Sequence, residues 1–172
     1  MNSTSEIVYA FIDSQNLFMG VKALGWELDY KKFRVYLKDK YHVSKTILFL
    51  GYIKSNQKLY NYLYKCGYEI VFKPVVKHLN GIIKGNIDAE LVLHSAKIEY
   101  ENYDKAIVIS GDGDFYCLIE DMYREDRLYK LLIPNSKSES RLLKKFQNYK
   151  VFLNRERNLL EKIGRRGVLP RK

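Results

Sequence analysis

Short runs of unbroken apolar residues alternate along this chain with stretches in which apolar residues return every three or four positions. The runs IVYAFID (7–13), KTILFLGYI (45–53), YEIVFKPVV (68–76), KAIVIS (105–110), LYKLLIP (128–134) and YKVFL (149–153) are short, β-branched or aromatic, and read as buried strands. Between them, the spacing predicts helices over 16–26, over 30–40 with Phe33, Tyr36 and Leu37 on one face, and over 56–67 with Leu59, Tyr62 and Leu63 on one face and Gly67 as the stop. A helix over 88–100 carries Ala89, Val92, Leu93 and Ala96 as its stripe, another begins near Phe115, and a short one spans 138–146. The Gly-containing stretch 78–87 reads as a loop.

Strands alternating with helices point to a single α/β domain, a Rossmann-like, mainly parallel sheet with helices on both faces. In such sheets ligands bind beyond the carboxyl ends of the strands. Asp13 closes the first strand and Asp112 follows the fourth, so two acids far apart in sequence are expected to become neighbours.

The composition fits one ordinary domain of 172 residues that needs no disulfide. The two cysteines, Cys66 and Cys117, have no CxxC spacing, and no apolar run approaches the ~18 residues of a membrane span. These features, with an N-terminus unlike a signal peptide, point to a reducing cytoplasm and no membrane. The formal net charge is +10, and residues 154–172 hold seven basic and two acidic side chains. An excess of this sign suits a polyanion such as nucleic acid. A Lys- and Tyr-rich bias that only keeps the chain soluble would leave the same number. Within the basic end, residues 154–163 read as a short helix with Leu159, Leu160 and Ile163 packed on the sheet, while Arg165, Arg166, Arg171 and Lys172 lie beyond it.

Three motifs carry the chemistry. In FIDSQN (11–16) Asp13 leaves a buried strand and Asn16 opens the next helix; an Asp there can equally be a helix cap. In SGDGDF (110–115) Asp112 and Asp114 flank a glycine at a strand-to-helix turn. Like charges held that close repel unless a cation neutralises them, and Mg²⁺ or Mn²⁺ prefers such hard oxygen ligands. Capping of the following helix is the plain alternative. In KGNIDAE (84–90) Asp88 leads into a helix, and Lys84 is suited to a phosphate as a mobile point charge. Arg141 and Lys144, on the late basic helix, could clamp flanking phosphates or simply form a solvated face.

FIDSQNL, KGNIDAEL and YDKAIVISGDGDF, in that order and spacing, resemble the NYN family of PIN-like ribonucleases, in particular its LabA-like branch. The resemblance covers roughly residues 6 to 152. It implies a PIN-like sheet and divalent-metal phosphodiester hydrolysis, with Asp13, Asp88, Asp112 and Asp114 as catalytic and metal-holding acids and Mg²⁺ or Mn²⁺ as cofactor. It further implies Asn16 as the polar companion of the first Asp, and a nucleic-acid partner, RNA favoured over DNA. Where family members often carry small residues such as Gly after that Asp, this chain has Ser14-Gln15. On this reading the nuclease domain is 6–153, with 154–172 as a basic extension, and a homo-oligomer is left open.

Other readings fit less well. A binding or scaffolding protein could keep the acidic pocket without turnover. The DxD of Asp112 and Asp114 also occurs in sugar-nucleotide transferases, which normally need a longer chain, and an aspartyl-phosphate phosphatase usually wants an Asp where Gln15 stands. No GxGxxG follows the first strand, which argues against a nicotinamide enzyme. His42, His78 and His94 have no mutual spacing for zinc.

Overall fold

A computed structural model describes residues 5–73, 76–77, 83–84 and 87–163. Its centre is β1 (Val8–Asp13), an apolar run with both neighbours paired in parallel. On one side lie β2 (Val43–Gly51) and then β3 (Glu69–Lys73); on the other, β6 (Lys105–Ile109), β7 (Leu128–Ile133) and β8 (Lys150–Phe152). All five ladders of this six-stranded sheet are parallel, in the order β3-β2-β1-β6-β7-β8. A parallel sheet must be clad on both faces, and here it is. Ala10, Ile12, Ile107 and Ile109 pack against α1 (Ser14–Ala23), α2 (Tyr30–Tyr41) and α3 (Gln57–Lys65) through Leu17, Val21, Phe33, Leu37 and Leu63. Phe11, Val108, Leu131 and Ile133 face the other way, against α4 (Asp88–Leu93) and α5 (Tyr116–Arg124) through Leu91, Leu118 and Ile119. The strict alternation of Ala10, Phe11 and Ile12 between two apolar clusters is why the strands read as unbroken hydrophobic runs.

Several expectations change in detail. The third strand stops at Lys73, next to Pro74, which has no amide N–H to give a ladder. The stretch expected as a loop contains β5 (Ile83–Lys84), paired antiparallel with β4 (Val76–Lys77) in a small separate two-stranded sheet. Helix 88–100 is α-helical only as far as Leu93; a wider π turn follows over His94–Ile98. There the Ser95 hydroxyl donates to the Leu91 carbonyl at 2.7 Å, competing with the regular backbone ladder. The helix expected over 138–146 is instead a 3₁₀ segment, Arg141–Tyr149, kinked at Phe146, and the backbone before it is committed elsewhere: the Ser140 amide donates to the Gly111 carbonyl at 2.9 Å.

After β8, a short helix α6 (Arg157–Leu160) docks on α2 rather than on the sheet. Leu160 is fully buried, whereas Leu159 and Ile163 are exposed, so only one of the three expected anchors packs. Backbone bonds from Asp29 to Leu160 at 2.8 Å and from Lys162 to Glu27 at 2.9 Å pin this segment down. Arg165, Arg166, Arg171 and Lys172 lie outside the described residues. Among the described residues no helix is long and apolar enough to cross a membrane.

Candidate active site

The sheet order reverses at β1. From there the chain steps outward to β2 and β3, then returns to lay β6 on the other side, which opens a crevice beyond the carboxyl ends of β1 and β6. Ile12 pairs with Ile109, so Asp13 and Ser110 leave the sheet side by side. Asp13 is 6% exposed. One of its oxygens accepts from the Asn16 amide at 3.0 Å, capping α1, and the other accepts from the Ser110 hydroxyl at 3.1 Å. Ser110 passes the link on, because its oxygen accepts from the Asp112 amide at 3.1 Å. Asp112 in turn caps the next turn, its Oδ1 accepting from the Asp114 amide at 3.1 Å, and among the described residues its Oδ2 has no protein donor. Capping, the plain alternative in the sequence, is thus what both carboxylates do, at one edge of the sheet.

Asn16 does more than accompany Asp13. Its side-chain oxygen accepts from the Gly111 amide at 2.9 Å, tying the start of α1 to the loop after β6. From the far side Ser140 closes on the same loop: a Cβ on Gly113 would collide with the Ser140 hydroxyl and lie 3.1 Å from Leu142 Cδ1. Glycine is required there by close approach rather than by its dihedral freedom.

Asp88, the first residue of α4, enters from the neighbouring layer, where α4 packs on β1 and on the Gly113–Phe115 turn. Burial raises its carboxyl pKa above the usual 3.8; repulsion from Asp112 and Asp114 raises it further, and Lys73 at the end of β3 pulls the other way. Burial likewise raises Asp13, partly offset by the hydrogen bonds from Asn16 and Ser110, with Asp88 and Asp112 adding repulsion. Asp13, Asp88 and Asp112 therefore share one electrostatic neighbourhood, which Asp114 joins at its exposed rim through Asp88. Among the described residues no three acids, histidines or cysteines stand close enough to grip a metal ion together as they are. The donor set is nonetheless all hard oxygen, and an ion that keeps most of its waters needs only one or two direct carboxylates. A hard divalent ion fits these residues on that basis.

The expected phosphate-binding residues are placed unevenly. Lys84 lies in β5, and its side chain falls outside the description. Arg141 and Lys144 are exposed, and the three-residue period of their 3₁₀ helix puts them on one face, starting beside the Gly111–Asp114 loop. Ser110, Ser140 and Lys73 were not singled out from sequence. Ser110 alone had a signal, its place inside SGDGDF; the other two act through partners distant in the chain.

The sequence model of the NYN domain matches residues 8–154. The chain belongs to the NYN domain family. This places it in the PIN-like nuclease superfamily, whose members generally use divalent metals. The NYN domain here occupies the whole sheet, from the first residue of β1 to just past β8. Its fold is also similar to the crystal structure of a protein of unknown function from Vibrio parahaemolyticus, with a TM-score of 0.74 at 21% sequence identity, covering 94% of this chain and 99% of that one. No curated protein matches the chain.

Proposed function

We propose that this NYN protein is a divalent-metal-dependent ribonuclease of the LabA-like branch, acting through Asp13, Asp88, Asp112 and Asp114 with Mg²⁺ or Mn²⁺. The observation that carries the reading is the state of Asp13: a carboxyl buried at the carboxyl end of the central strand, with Asp88 and Asp112 raising its pKa further. Such carboxyls ionise more readily when a cation sits among them, and catalytic sites are where such arrangements gather.

A bound ion would supply a more acidic water as nucleophile and stabilise charge on the leaving oxygen. The chain's own residues do the rest. Asp112, whose Oδ2 has no donor among the described residues, and Asp13 would hold the ion or its waters; Ser110 and Asn16 fix the direction of the two carboxylates. Asp88 and Asp114 complete the negative rim, with Lys73 balancing Asp88. Lys84 and the Arg141–Lys144 row are the candidates for flanking phosphates. The net charge of +10 supports a nucleic-acid partner. We take 6–153 as the nuclease domain and 154–172 as a basic extension. The cysteines Cys66 and Cys117, both free thiols, suit a cytoplasmic protein.

The open spacing of the acids favours a second reading, a nucleic-acid-binding protein whose pocket does not turn over. Incubating the pure protein with labelled single-stranded RNA, single-stranded DNA and duplexes, in Mg²⁺, Mn²⁺ or EDTA, separates the two. Cleavage of RNA that EDTA abolishes and Asp112→Asn suppresses supports the nuclease; binding without cleavage under every condition supports the second reading.

A further inference from the structure

Beside the acids lies a groove of about 470 Å³ that the proposed chemistry leaves unused. It starts where the site ends: Ser14 and Gln15 follow Asp13 directly, Ile87 precedes Asp88 directly, and all three line it. Its walls are mostly apolar, with the half-exposed Phe18 from α1 and Leu59 from α3 among them, and its lining includes Gln15 and Asn56. None of its lining residues is charged. The Ser14 hydroxyl is buried and has no hydrogen-bond partner among the described residues.

We propose that this groove receives one unpaired nucleobase of the strand whose phosphate lies at the acids, an inference that rests on the nucleic-acid reading above. A groove without charge beside a site made of charge divides a nucleotide by its chemistry. The phosphate belongs with the acids and their cation; the neutral, flat heterocycle belongs against Phe18. A nucleobase also brings ring and exocyclic donors and acceptors, which Gln15 and Asn56 in the lining can meet. The volume lies within the range of ordinary ligand pockets, roughly 300–1,000 Å³. Duplex nucleic acid keeps its bases stacked and would leave the groove empty, so the groove selects unpaired strands.

Phe18 is exposed enough to replace without opening the core. The test uses the full chain carrying Asp112→Asn in Mg²⁺, so that binding is read without turnover. The probes are a short fluorescein-labelled single-stranded RNA and a series of matched strands, each with one abasic position. We expect one abasic position to weaken binding by about 5- to 150-fold, the range of a lost aromatic–base stack. Phe18→Ala should weaken the intact strand similarly and erase its advantage over that abasic strand; Phe18→Leu, apolar but without a π face, should recover only part. Tight binding that is indifferent to every abasic position and to Phe18→Ala would overturn the groove assignment and leave the nucleic-acid reading standing. No binding of any strand would overturn both. A wild-type dimer that Phe18→Ala turns into a monomer would assign the groove to a second copy of the chain and overturn the proposal.

Discussion

The Ser110 hydroxyl donates to the Asp13 carboxylate at 3.1 Å across 97 positions of sequence, both residues being buried. The same oxygen receives the Asp112 amide, so a single side chain aligns an acid from β1 with an acid from the loop after β6.

Ser110→Ala should therefore act on both. Leaving a buried amide and a carboxylate oxygen short of a partner costs about 1–3 kcal/mol of stability. Mn²⁺ affinity, followed as the metal-induced rise in Tm, should fall by ~10–100-fold, the usual effect of removing a group that orients a ligand. A lower Tm with unchanged Mn²⁺ affinity would confine Ser110 to a structural role.

Asp13→Asn and Asp112→Asn keep shape and remove charge. Each should lower RNA cleavage in Mg²⁺ or Mn²⁺ by more than the ~10–100-fold of an orienting residue. Equal cleavage by wild type and both variants in EDTA would locate the activity in a contaminant or another site.

Asp88 and Asp13 give the pH dependence its sign. Folding raises both carboxyls above 3.8, so their stabilising contribution is complete only below that value and is lost as pH rises through the higher folded values. At neutral pH and without metal they oppose folding. Asp88→Asn should then raise Tm in EDTA, by a few degrees at most because this carboxyl is screened by solvent, and the gain should shrink toward pH 3.8. Cleavage should move the opposite way to stability, increasing with pH over the same range as the carboxyls ionise and can hold a cation. A Tm gain that grows on acidification would contradict this account.

Gly113→Ala places a methyl group against Ser140 and Leu142. Overpacking of this kind costs about 1–3 kcal/mol. In a Ser140→Gly background the same substitution should cost less, and denaturant unfolding of the four proteins of the cycle measures the difference. Equal costs in both backgrounds would mean that Ser140 does not limit the loop.

Deleting residues 164–172 tests the basic end. If Arg165, Arg166, Arg171 and Lys172 meet phosphates, the salt slope for single-stranded binding should fall by about 0.7 per lost contact, with little change in turnover at saturation. An unchanged slope would remove these cations from the interface.

The frame of the site was legible because it rests on local patterns: an apolar run ending in Asp13, another ending before Gly111, and alternation that forces both into one clad sheet. The companions of those acids were not. Lys73 matters because β3 ends near the layer that brings in Asp88, and Ser140 because its amide finds Gly111; neither relationship has a period or spacing to read. The 3₁₀ form of 141–149 and the π turn after Leu93 were hidden for a related reason. Each comes with a hydrogen bond that diverts the backbone, Ser140 to Gly111 and Ser95 to Leu91, and not with a change in the apolar stripe that both segments share with ordinary α-helices.

The parallel pairing of Val8 with Lys105 also orders events during synthesis. A growing chain can lay β1 beside β2 and β3 long before β6 has been translated, and at that stage it owns Asp13 but neither Ser110 nor Asp112. Long-range parallel contacts of this sort form late, after the cost of closing the intervening loop has been met. Asp13 therefore gains Ser110 and Asp112 as companions only once residues 105–112 have been made.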